Sequence, residues 1–124
     1  KMGISQSYIS RIEKRIIEGV WVPYDQDEKI VAKNGYDVVK EFTGHGVGSK
    51  LHEDPSIPNY GLPGRGVILK KGMTLAIEPM STLGKRNVVL DHNGWTVLTE
   101  DGLPSAHYEN TVIITDDGVE IITL

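Results

Sequence analysis

Downstream of Asn34-Gly35, glycine and proline recur so often that the chain divides into short strands joined by turns. Residues 36–42 read as the first strand. Residues 73–78 form another, announced by the turn Lys70-Lys71-Gly72, and residues 95–99 a third. Residues 108–115 and 119–123 flank Asp116-Asp117-Gly118, a hairpin signal. Residues 55–66 hold three prolines and three glycines and read as a loop. Upstream the pattern changes. Ile9, Ile12 and Ile16 recur at helical spacing after Ser5, a good N-cap, so residues 5–18 are expected to be helical. Residues 19–26 read as a connector. A short helix over residues 27–33 is closed by Asn34-Gly35 as a left-handed cap.

The 124 residues suffice for one domain with a modest core. With 39% hydrophobic and 24% charged residues the chain reads as soluble and globular. The absence of cysteine rules out disulfides and thiolate metal sites, and fits a cytoplasmic protein. The longest apolar runs are far too short to span a membrane, and no signal peptide is visible. The chain opens on Lys1 rather than Met and is read as lacking its true start. Charge is uneven. Lys1, Arg11, Lys14 and Arg15 against Glu13 give the first 15 residues a net +3, which leaves −7 on the rest of a chain whose total is −4. A basic head on an acidic body suggests two origins, or a head with its own partner.

Four residues stand out for chemistry. His45 lies between glycines in Gly44-His45-Gly46, where a bent backbone can approach a ligand closely. Its imidazole suits a metal, or a turn with the ring in water. His52 precedes Glu53-Asp54, acidic neighbours that suit it to donate a hydrogen bond to a substrate carbonyl, or simply to sit solvated in a loop. Glu78 ends the apolar run Leu75-Ala76-Ile77 and is followed by Pro79. A carboxylate there is costly to bury unless paired or bound to metal. By strand alternation Glu109 shares a face with Thr111 and Ile113, either as a ligand or on a solvated face. Carboxylates with one imidazole suit a divalent ion such as Mn, Fe, Co or Zn.

The Gly44-His45-Gly46-Val47-Gly48 turn, Leu51-His52-Glu53, Ile77-Glu78-Pro79-Met80, Asp91-His92-Asn93-Gly94-Trp95 and Ser105-Ala106-His107-Tyr108-Glu109-Asn110-Thr111 occur in an order and spacing that resemble the C-terminal half of type I methionine aminopeptidases. The resemblance covers about residues 33–124. It implies an α+β chain: half of a pita-bread fold, a curved antiparallel sheet with few helices, plus the N-terminal helix. It implies that His45 and Glu78 ligate one metal, that Glu109 bridges two, and that Glu78 helps activate water. His52 would touch the scissile peptide, and Leu51 and Trp95 would line a methionine pocket. The implied substrate is a protein with an N-terminal methionine.

The family pattern needs five ligands, two of them aspartates of an N-terminal half. Asp27 and Asp37 have the ten-residue spacing of that pair but lack its glycine-containing strand context, and they read as solvated surface acids. The metal site is therefore expected to be incomplete, to bind weakly and to hold one ion. In place of that half, residues 1–16 resemble the recognition helix of a sigma-factor helix-turn-helix, with Gln6, Ser7, Ser10 and Arg11 on the face that would meet DNA. Half a motif on a net-negative chain is a poor DNA binder, so DNA is not the expected partner. The leading reading is a fragment or rearranged product of a methionine aminopeptidase. Two others stand beside it: one part of a split enzyme, completed by a separate N-terminal half or a second copy, and a DNA-binding regulator.

Overall fold

The computed structural model describes residue 28, residues 31–62 and residues 66–123. The helix expected over residues 5–18, the connector and Asp27 lie outside them. Residues 31–33 are helical, and Gly35 at φ 82° turns the chain out of that helix in the left-handed conformation its sequence predicts.

Ten short strands follow: β1 (Asp37–Val38), β2 (Gly44–Gly46), β3 (Glu53–Ile57), β4 (Thr74–Ile77), β5 (Met80–Thr82), β6 (Val88–Leu90), β7 (Val97–Thr99), β8 (Ser105–His107), β9 (Asn110–Ile114) and β10 (Val119–Ile121). They form a five-stranded sheet in the order β10-β9-β4-β2-β3, a three-stranded sheet β1-β5-β8 and a two-stranded β6-β7 ribbon, and every pairing is antiparallel. The antiparallel sheet structure with few helices expected from the sequence is thus present, as three sheets in the described residues.

Leu75 of β4 is wholly buried and packs with Ile57 and Val112 from β3 and β9. Leu69, Met73, Ile77, Ile114 and Val119 close around this cluster. Alternation along β4 and β9 supplies Leu75, Ile77, Val112 and Ile114 to one face. The hairpin at Asp116-Asp117-Gly118 forms as expected, with Thr115 N–H donating to the Gly118 carbonyl at 2.7 Å.

Four sequence expectations are corrected. Strand structure in residues 36–42 is confined to Asp37–Val38. Pro55 belongs to β3 rather than a loop, after a cis Asp54-Pro55 bond. β3 is an edge strand and its register with β2 shifts between His45 and Gly46, and edges and bulges are where a residue without an N–H is tolerated. Strands β5, β6 and β8 had no strong pattern of their own. β5 and β8 are held by partners distant in sequence, such as Thr82↔Ser105, and β6 by β7 across a turn. Finally, His45 lies within β2, between β4 and β3, rather than in a turn. Its flanking glycines serve close packing: a Cβ on Gly44 would collide with the Ala76 carbonyl, and one on Gly46 with that of Asp54.

Strands β4 and β9 pair with Ile77 opposite Asn110, and β5 and β8 pair with Met80 opposite His107. These are the same register. The two chain segments therefore run side by side from the large sheet into the smaller one, and the crossing is made by Glu78-Pro79 against Tyr108-Glu109. Tyr108 N–H donates to the Pro79 carbonyl there, at 3.2 Å.

Candidate metal centre

The crossing between sheets is where the chemistry collects. Glu78 follows β4, and its backbone carbonyl accepts the side-chain amide of buried Asn59 at 3.2 Å. Its carboxylate is 13% exposed and stands between two imidazoles. Oε1 is 3.3 Å from His45 Nε2, and Oε2 is 3.4 Å from His107 Nε2. Ligand atoms around a tetrahedral divalent ion, with bonds near 2.1 Å, stand about 3.4 Å apart. The observed spacings fit that geometry.

His45 is oriented from its other side. Its Nδ1 lies 2.8 Å from the Gly46 carbonyl oxygen, which can only accept. In the neutral ring the proton therefore sits on Nδ1, and the lone pair on Nε2 points at Glu78. A carboxylate oxygen and an imidazole nitrogen facing each other can share a cation, either a proton or a metal ion.

Burial pushes the Glu78 carboxyl above the ordinary glutamate value, and the nearby Glu109 charge adds to the rise, while His45 and His107 oppose it. Ligand atoms of Glu78, His107 and Glu109 all lie within 4.8 Å of one another, a group that could hold an ion. Two carboxylates and an imidazole suit a hard or borderline divalent metal.

His52 is exposed, and its ring rests on that of His45 with centroids 4.2 Å apart and planes tilted by 51°. Beside these groups opens a cavity of about 540 Å³. His45, His52, Glu78 and His107 meet it, and Val39, Phe42, Met80, Val97 and Leu98 give it an apolar wall.

The structure thus brings together His45, His52, Glu78 and Glu109. Leu51 and Trp95 do not join them. They are 72% and 86% exposed and are not among the residues lining the cavity. Trp95 follows the turn of the β6-β7 ribbon, where Asn93 Oδ1 accepts the Trp95 and Thr96 N–H groups. Asp37 is half-buried on β1, where its carboxylate accepts the Val38 N–H at 2.8 Å, apart from the metal-ligand group of the described residues. Gln6, Ser7, Ser10 and Arg11 lie outside the described residues. His107 had no role in the sequence reading. Its signal was its place two residues before Glu109 in the motif Ser105-Ala106-His107-Tyr108-Glu109.

The pattern of metallopeptidase family M24 matches residues 20–116. The methionine aminopeptidase of Clostridium perfringens is 48% identical over 120 residues, covering 96% of this chain and 48% of that protein. Methionine aminopeptidase 1 of Bacillus subtilis is 52% identical over 93 residues, 75% of this chain and 38% of that protein. The crystal structure of the Thermotoga maritima methionine aminopeptidase superposes with a TM-score of 0.79 at 44% identity, covering 93% of this chain and 50% of that one. The chain spans about half the length of these relatives. The Clostridium match leaves so little of the chain uncovered that it runs into residues 1–18. That corrects the sigma-factor likeness and the two-origin reading of the basic head: the head continues the same similarity.

Proposed function

The chain belongs to metallopeptidase family M24, with a pita-bread architecture, and on that footing we propose that it carries part of the catalytic centre of a methionine aminopeptidase. No helix among its described residues is long and apolar enough to cross a membrane. The observation that carries the reading is Glu78, largely buried between His45 and His107 beside an apolar cavity.

In this reading His45, Glu78 and Glu109 hold divalent metal. When bound, the ion would supply Lewis acidity toward the scissile carbonyl and the attacking water. Glu78 receives a proton from that water. His52, exposed against His45, donates a hydrogen bond to the peptide carbonyl. The wall formed by Val39, Phe42, Met80, Val97 and Leu98 holds the methionine side chain of the substrate and keeps water from it.

Release of methionine from a Met-Ala-initiated peptide, with Mn(II) or Co(II) in excess, tests this reading. Turnover is expected to disappear in Glu78→Ala. Undiminished turnover by that variant would place the activity at another site.

A further inference from the structure

We propose that His107 is a metal ligand, which with Glu78 and Glu109 forms a three-ligand ion site on the Oε2 side of the Glu78 carboxylate. The inference rests on the metallopeptidase reading of the centre and adds a ligand to the set of His45, Glu78 and Glu109.

Three observations carry it. The first is register. Met80 pairs with His107 and Ile77 with Asn110, so the β8–β9 segment passes the Glu78-Pro79 crossing at a fixed level. His107 and Glu109 are thereby carried past Glu78 on one segment, two residues apart. The second is distance. His107 Nε2 is 3.4 Å from Glu78 Oε2, and ligand atoms of all three residues fall within 4.8 Å of one another. His45 faces the other oxygen, Oε1, and is outside this group. The third is charge. Glu78 and Glu109 are two like charges whose ligand atoms lie within 4.8 Å of each other. A divalent ion satisfies both carboxylates and the ring nitrogen together.

His107 also lines the cavity and is 48% exposed, so an ion held there remains open to water and to substrate. Three protein ligands with an open position is the arrangement of a catalytic rather than a structural site. The competing role for His107 is an imidazolium that pairs with Glu78. Under that role its removal leaves metal affinity unchanged or increases it.

The test uses the full chain, labelled with 15N-histidine, and Mn(II) as probe. Affinity is read by titration against a chelator. Pulsed EPR counts the imidazole nitrogens coupled to the ion. His107→Gln keeps a polar side chain of similar size, and far-UV circular dichroism checks its fold. Expected are a loss of Mn(II) affinity of roughly tenfold or more and one fewer coupled imidazole. Unchanged affinity and count in His107→Gln, with His45→Gln weakened, would overturn the assignment while the metal-centre reading stands. Weaker affinity with an unchanged count would make His107 a positioning residue and also overturn it. Absence of Mn(II) binding by the parent chain would overturn both.

Discussion

Glu78 lies level with Glu109 across the crossing between the two larger sheets, because Ile77↔Asn110 and Met80↔His107 share one register. Two carboxylates held level in neighbouring segments repel, and the rise of the Glu78 carboxyl includes that repulsion. The repulsion ends when a cation sits between them. In chelator, Glu109→Gln is expected to melt above the parent chain. With Mn(II) the order reverses, since the parent gains about 2.7 kcal/mol at a metal concentration near 100 times its Kd. Thermal unfolding of both proteins in EDTA and in Mn(II) checks the crossover.

Gly44 bears on His45 through packing. A Cβ there meets the Ala76 carbonyl oxygen and approaches Ile57. Gly44→Ala is expected to push β2 off β4, costing about 1–3 kcal/mol, and to weaken Mn(II) binding as His45 moves with the strand. Urea unfolding and metal titration of the same variant read the two effects. Unaltered metal affinity would show that His45 does not depend on this packing.

Leu75 is the centre of the core, with no exposed surface. Leu75→Ala is expected to cost about 2–5 kcal/mol in chemical unfolding. Leu90, which is 61% exposed on the β6-β7 ribbon, serves as the control. Leu90→Ala should shift stability by no more than about 0.5 kcal/mol.

Asp101 ties two loops together. Its Oδ2 accepts Lys85 N–H at 2.7 Å and its Oδ1 accepts Leu103 N–H at 3.1 Å. These bonds, Lys85 first, hold its carboxyl below the ordinary value of 3.8. A carboxylate whose folded-state pKa is depressed stabilises the fold above its unfolded value, and that contribution is lost as pH falls through the folded one. Asp101→Asn is therefore expected to be less stable than the parent at neutral pH. The difference should shrink once pH drops below 3.8. Paired urea unfolding curves across that range check the sign.

Much of this arrangement was legible locally. Gly35 and the Asp116-Asp117-Gly118 hairpin could be read because turn conformation is decided by neighbouring residues. His45, His52, Glu78 and Glu109 could be picked out because ligand chemistry belongs to residue type, and the order of their motifs carried the family. Other features were not local. Strand β5 has no alternation of its own and exists because β1 and β8 pair with it. His45 became a strand residue rather than a turn residue through β3 and β4 on either side of it. Leu51 and Trp95 kept their motifs yet stand away from the cavity, whose apolar wall is built by residues as distant as Val39 and Leu98.

The sequence by itself determined which groups were available: two glutamates, imidazoles beside them, and glycines small enough to let strands close around one of those rings. Only the tertiary structure decided that Glu78 would stand level with Glu109, and that His107 would face the second oxygen of the carboxylate that His45 faces on the first. The reason is physical. Turn geometry and side-chain alternation are set by adjacent residues, whereas the level at which two strands meet is set by burial of side chains far apart in the chain, such as Leu75 against Ile57 and Val112.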